Sequence, residues 1–211
     1  MNYNLQNSLS QWRVQATKKL YDPRLCTHVI LLPMGSKTYC AFLRGVNVNG
    51  RTMKMAEVCE AFSAAGMEQV SSVLATGNIL FCSDAPAGGL RDKLEKALSE
   101  HYSDDVSLFV KTAEEVRIIS ESAPFAPDPE LHLYAFISEP GFEQVLVEEF
   151  AKITPAPQEA AAIQNGIFYW QVPKGATLDA GFSKILGRKD MKEKFTSRNL
   201  NTIGKIIART Q

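Results

Sequence analysis

Three prolines fall within six residues at Pro124-Phe125-Ala126-Pro127-Asp128-Pro129, and this run constrains the fold more than any other feature. Proline fixes φ at about −65° and donates no backbone hydrogen bond, so neither a helix interior nor a central strand crosses such a segment. The run reads as an extended linker over residues 124–130, between a first half at 36–123 and a second half at 131–211.

Each side of the linker carries a strand-and-helix pattern. Thr38 to Leu43 is apolar enough for a strand covered on both faces. Arg44 to Thr52 is a loop rich in Gly and Asn. Lys54 to Ala65 predicts a helix with Met55, Val58, Phe62 and Ala65 along one face and Gly66 as its stop. Gln69 to Ala75 and Ile79 to Cys82 predict strands joined across Thr76-Gly77-Asn78. A helix at Leu90 to Leu98 and a strand at Val106 to Val110 complete a β-α-β-β-α-β order, that of the ferredoxin-like split unit. A further helix, Ala113 to Glu121, leads into the prolines.

Beyond them, Leu131 to Ile137 predicts a strand and Phe142 to Ile153 a helix. Ala160 to Gln164 and Ile167 to Val172 form a hairpin over Asn165-Gly166, a type I′ signal. This half repeats β-α-β-β and then, in place of a clear fourth strand, ends in a basic helical segment. The expected fold is therefore α+β, with two linked ferredoxin-like halves, the second modified and ending in a helix. Residues 1–35 show no clear period and read as an N-terminal extension. Either they add a helix near Leu9 to Leu20, or they precede a natural start at Met34.

Tyr39-Cys40-Ala41-Phe42-Leu43-Arg44-Gly45-Val46-Asn47-Val48-Asn49-Gly50 resembles the opening of a widespread, mainly bacterial uncharacterised family, the domain of unknown function numbered 1697. Lys54-Met55, Thr76-Gly77-Asn78, Pro124-Phe125 and Thr196-Ser197-Arg198-Asn199-Leu200-Asn201-Thr202 follow in the family's order. Asn49 stands where the family usually has glycine. The resemblance covers the chain from about Thr38 to its end. It implies a two-part ferredoxin-like α+β fold and brings no activity with it.

Composition narrows the function classes. The net charge is zero, yet Phe182 to Gln211 holds eight basic residues against Asp190 and Glu193, a local +6. Such a segment can attract phosphates, or it can dock on the protein's own acidic remainder, which is the favoured reading. Cys26, Cys40, Cys59 and Cys82 lack C-x-x-C spacing, as expected of reduced thiols in the cytoplasm. His28, His101 and His132 form no H-E-x-x-H pair, so no metal or other cofactor is expected. No apolar run approaches the roughly 20 residues of a membrane span. No G-x-S-x-G elbow, Walker loop or dinucleotide fingerprint appears, which leaves enzyme status open.

Candidate ligand-binding residues follow from the split unit. Its first two strands run the same way, so the loop after strand one and the hairpin after strand two open on one edge. That gathers Arg44, Asn47 and Asn49 near Thr76, Gly77 and Asn78, beside a helix N-terminus that favours an anion. Arg44 offers a planar fork for phosphate or carboxylate. Lys54 sits in the first helical turn, where a cation is disfavoured unless an anion is near. In the C-terminal segment Thr196 is expected to cap a helix with Arg198, Asn201, Thr202, Lys205 and Arg209 on its polar face. Arg198, Asn199 and Asn201 join the candidate set. The opposing reading gives the asparagines to turns and caps and pairs Arg44 with an internal acid.

The expected function is a binding module for a phosphate-bearing or other anionic ligand. The alternatives are an enzyme acting on a small anionic metabolite and a non-catalytic assembly protein. Nucleic acid is a less favoured partner. Phe168-Tyr169-Trp170 could stack bases, but a strand alternates its faces and at least one ring must be core.

Overall fold

In the computed structural model, which describes residues 35–48 and 51–210, both halves build the same four-stranded sheet. The expectations for residues 1–34 and for Asn49 lie outside the described residues. The first half runs β1 (Lys37–Leu43), β2 (Asn47–Val48), β3 (Arg51–Thr52), α1 (Met55–Ala64), β4 (Glu68–Ser72), β5 (Asn78–Ser83), α2 (Ala87–Tyr102), β6 (Leu108–Thr112) and α3 (Ala113–Glu121). The second runs β7 (Leu131–Ser138), α4 (Phe142–Ala151), β8 (Ala160–Gln164), β9 (Ile167–Pro173), α5 (Gly181–Leu186), α6 (Lys189–Lys192), β10 (Phe195–Asn199) and α7 (Leu200–Ile207). The sheet orders are β4-β5-β1-β6 and β10-β7-β9-β8, with every neighbouring pair antiparallel. Both are the split β-α-β arrangement, and each is followed by one more helix, α3 or α7. The small β2–β3 ribbon stands apart, closed by Met53 N–H donating to the Val46 carbonyl at 3.0 Å.

One expectation is corrected. The second half has its fourth strand, β10, where the sequence reading starts the C-terminal helix with Thr196 as cap. Phe195-Thr196-Ser197-Arg198-Asn199 shows no apolar period, but β7 offers an unpaired edge, and pairing from Phe195↔Ser138 to Asn199↔Tyr134 overrides propensity. The capping role passes to Asn199, whose Oδ1 accepts the Asn201 N–H at 2.9 Å. Arg198 therefore stands on a strand and not on the helix's polar face.

Three apolar clusters account for the layering. On the outer side of sheet one, Tyr39, Ala41, Leu43, Ile79 and Phe81 meet Val58 and Phe62 of α1 and Leu90, Leu94 and Leu98 of α2. On the outer side of sheet two, Phe136, Phe168, Trp170 and Val172 meet Leu146, Phe182 and Met191. The middle cluster draws on both halves. It combines Cys40, Phe42, Leu80 and Phe109 with Ala135, Ile137 and Tyr169, around Val116 and Ile119 of α3 and Ile203 and Ile206 of α7. Both faces of both sheets are thus covered, which explains why β1 is apolar and buried from Tyr39 to Leu43. Phe168, Tyr169 and Trp170 are all buried, so none of them is a base-stacking platform.

The helices of the middle layer are well anchored. Thr112 Oγ1 accepts the Glu115 N–H at 3.1 Å while the Glu115 carboxylate takes the Thr112 N–H at 2.7 Å, a capping box that starts α3. The Tyr169 hydroxyl donates to the Ile119 carbonyl at 2.8 Å, tying sheet two to α3. Phe125 of the proline run is half-buried against the same cluster.

A core shared in this way predicts one unfolding transition. Ile203→Ala should remove about 3 kcal/mol and shift the whole molecule. Urea melts followed by Trp170 fluorescence in a Trp12→Phe background and by far-UV circular dichroism should coincide before and after the change. Separated curves would mean that the halves unfold independently.

Candidate functional site

The chain leaves β1 at Leu43 and meets the β4–β5 hairpin side by side. Leu43 N–H donates to the Gly77 carbonyl at 2.7 Å. Gly77 has φ of +72°, and a Cβ there would lie 2.9 Å from Leu43 Cβ, so conformation and space both require glycine. Asn78 follows, fully buried. Its Nδ2 donates to the Val73 carbonyl at 3.0 Å and to Thr76 Oγ1 at 2.9 Å, which holds the hairpin closed from inside.

Arg198 of β10 enters this junction from the other half. Its Nε donates to Asn78 Oδ1 at 2.6 Å. Its Nη1 donates to Thr196 Oγ1 at 2.7 Å and the Ser197 carbonyl at 2.8 Å, and its Nη2 to the carbonyls of Leu43 at 2.9 Å and Gly77 at 3.3 Å. All five guanidinium N–H groups are used. The group also lies 5.6 Å from the centre of the Phe42 ring. Among the described residues it has no carboxylate within salt-bridge distance. Burial pulls its pKa down to about 10, still high enough to keep it charged at neutral pH. Burial also pushes the neighbouring Cys40 thiol up to about 12, so this cysteine stays protonated and is no nucleophile.

Arg44 belongs to the same junction. It is half-buried, and its guanidinium donates to the carbonyls of Glu193, at 3.1 Å, and Lys192, at the end of α6. Burial lowers its pKa, and the charges of Glu193 and Glu95 work against that shift. Its partners are thus main-chain carbonyls of the second half, neither a ligand pocket nor an internal acid in direct contact. The remaining expected residues disperse. Lys54 is exposed and stands at the N-cap of α1, one residue before the helix and not in its first turn, where it pairs with Glu57 at 3.1 Å. Asn47 lies in β2, opposite Thr52.

Asn199 and Asn201 come together at the start of α7. While Asn199 Oδ1 caps the helix, its Nδ2 lies 3.1 Å from His132 Nδ1. With the amide donating, the imidazole carries its proton on Nε2. This corner forms one end of a cleft of about 570 Å³ beneath the proline run, lined by Phe125, Leu131, Leu133, Lys174, Leu200 and Asn201 among others. Lys174 is a functional candidate that the sequence reading misses. It belongs to no motif, and only the register of β7 and β9 brings Leu131 opposite Pro173, one residue before Lys174. His132 is not among the residues that line the cleft.

The basic C-terminal segment is partly internal. Arg188 pairs with Glu149 at 3.1 Å and Asp190 at 3.3 Å, and Arg209 donates to the Ser72 carbonyl at 2.8 Å. Among the described residues no group of His, Cys, Asp or Glu is placed to hold a metal ion, and no helix is long and apolar enough to cross a membrane.

The family described as protein of unknown function (DUF1697) matches residues 36–169. The chain belongs to this family. The match opens just before β1 and ends within β9, so it includes Gly77 and Asn78 and stops before Arg198. A solved structure, the conserved bacterial protein SP0830 from Streptococcus pneumoniae, is similar over 83% of this chain and 99% of its own, with a TM-score of 0.69 at 24% identity. It shows the two-part fold. An unknown protein from Galdieria sulphuraria aligns over 78% of this chain and 97% of its own with a TM-score of 0.23 at 12% identity, too low to support an argument. No curated protein matches the chain.

The junction predicts unequal costs for its two arginines. Arg198→Lys supplies fewer and differently placed donors. With buried acceptors each costing about 1–3 kcal/mol when left unpaired, it should lower stability by at least about 3 kcal/mol. Arg44→Ala exposes two carbonyls to water and should cost about 1 kcal/mol. Chemical denaturation of both variants measures the difference. Equal costs would contradict the assignment.

Proposed function

We propose that this chain is a binding module for a small anionic ligand with an apolar body, taken up in the cleft beneath the proline run. The observation that carries the reading is the Lys174 ammonium at the rim of that cleft, which has no acidic partner among the described residues. Three further features support it. Phe125, Leu131, Leu133 and Leu200 supply an apolar wall. The first turn of α7 supplies N–H donors beyond the one that Asn199 caps, at the helix end that favours negative charge. A volume of about 570 Å³ is in the range of small-molecule sites.

The charge balance restricts the ligand. Asp128 also lines the cleft, but its Oδ1 accepts the Glu130 N–H at 2.8 Å. One lysine and one helix end suit a single phosphate or carboxylate better than a polyphosphate. In this reading Asn199 and Asn201 belong to the site. Arg44, Asn78 and Arg198 act at a distance, holding together the halves that form its walls.

A thermal-shift screen with sugar monophosphates, nucleoside monophosphates and alkyl or aryl carboxylates at two salt concentrations tests this. A ligand at about 100 times its Kd should add roughly 2.7 kcal/mol, and less at the higher salt. Lys174→Ala should melt like the parent when free and lose the ligand shift. Absence of any shift, or a shift undiminished in Lys174→Ala, would overturn the proposal.

A further inference from the structure

Among the described residues the two four-stranded sheets end in four edge strands, and three of these carry devices that discourage pairing with another chain. β4 is broken by a register shift between Glu68 and Ser71, with Gln69 at φ of +50°, and Arg209 takes the Ser72 carbonyl. The Leu108 N–H of β6 is taken by the Glu95 carboxylate at 2.9 Å, and Lys111 adds a charge. β10 carries Arg198, which also takes the Ser197 carbonyl. Bulges, charges and side-chain caps of this kind are how sheet proteins blunt their edges. Among the described residues β8 has none of them. Ala160-Ala161-Ala162-Ile163-Gln164 is uncharged, free of proline and glycine, and regular in its pairing with β9.

The hairpin fixes which groups of β8 face outward. Asn165 and Gly166 have φ of +50° and +72°, the two-residue turn whose flanking residues, Gln164 and Ile167, form a hydrogen-bonded pair. Alternation along an antiparallel ladder then gives Gln164, Ala162 and Ala160 to β9. The N–H and C=O groups of Ala161 and Ile163 are left pointing away from the sheet. These two residues are spaced evenly about Ala162. A second β8 laid antiparallel across a two-fold axis at Ala162 would set Ala161 against Ile163 in both directions and satisfy all four groups at once.

We infer that β8 is the dimer interface of this protein, joining two copies into one continuous eight-stranded sheet through antiparallel β8–β8 pairing centred on Ala162. The strand complements itself. No charge in it meets its own copy across the axis, and the side chain on the axis is an alanine methyl. Apolar side chains extend the patch on both faces. Val145 is exposed on α4, the helix packed on β8, and Ile118 of α3 is exposed beside Gln164 and Asn165 in one open depression. The depression at Ile118 adjoins the cleft proposed for the anion, with Ala123 lining both, but no residue of β8 lines that cleft and neither reading depends on the other.

Sedimentation velocity of the full chain and site-directed crosslinking test this. The parent should sediment as a dimer. Ala161→Pro removes an outward N–H and leaves the bonds to β9 in place, so it should sediment as a monomer with an unchanged circular dichroism spectrum. Ala162→Cys places two sulfurs at a non-hydrogen-bonded pair with Cα atoms about 4.5 Å apart, within disulfide reach. Under mild oxidant it should form a covalent dimer that the parent, with only its native cysteines, does not. A parent that sediments as a monomer at every concentration, a dimer that persists in folded Ala161→Pro, or a dimer that fails to crosslink through Ala162→Cys would each overturn the inference. If Ala161→Pro fails to fold, the crosslink decides.

Discussion

The Arg198 guanidinium joins the halves of this molecule where β1, the β4–β5 hairpin and β10 meet. Arg198 donates one hydrogen bond to Asn78, one to the Leu43 carbonyl and one to the Gly77 carbonyl, and keeps two for its own strand. A buried charge without a counter-ion is costly unless every polar atom around it is oriented to receive it. Here the acceptors are oriented by covalent and steric necessity. Gly77 is held against Leu43 because only glycine fits, Asn78 is fixed by the hairpin it closes, and β10 is fixed by its register with β7. The shared apolar layer around α3 and α7 then extends this polar joint into a core common to both sheets.

Much of the fold was legible because local signals and tertiary packing agree. The helix at Ala113–Glu121 carries its capping box in sequence, and the Asn165-Gly166 turn announces the β8–β9 hairpin. The prolines mark the only long connection between the sheets among the described residues. β10 was not legible because its residues are polar and their strand conformation comes from pairing with β7 rather than from period. The same strand shows what misleads a reading of Arg-Asn-x-Asn-Thr. Two asparagines near a helix start do indicate specific hydrogen bonds, but the first is the cap itself and the arginine lies before the helix.

The candidate site divides along the same lines. The resemblance motifs Arg44, Thr76-Gly77-Asn78 and Arg198 converge in space, as residues spread over more than 150 positions of chain do only when tertiary structure requires them together. What they build is a joint, with the guanidinium taking the place that an anion-binding reading would leave open. The cleft under the prolines involves Asn199 and Asn201 from the same motif, but its cation, Lys174, comes from a turn without any sequence signature. A lysine in a turn is ordinary, and only its position beside α7 and Phe125 gives it meaning.

The coupling between Asn78 and Arg198 tests the joint most directly. A double-mutant cycle built from Asn78→Ala, Arg198→Met and the combined variant, measured by chemical denaturation, isolates their interaction from the loss of each side chain alone. A hydrogen bond between a charged donor and a buried amide predicts an interaction energy of about 1.5–3 kcal/mol. Additivity within about 0.5 kcal/mol would mean that the two residues stabilise their own halves separately, and would contradict an account in which this contact binds the halves into one structure.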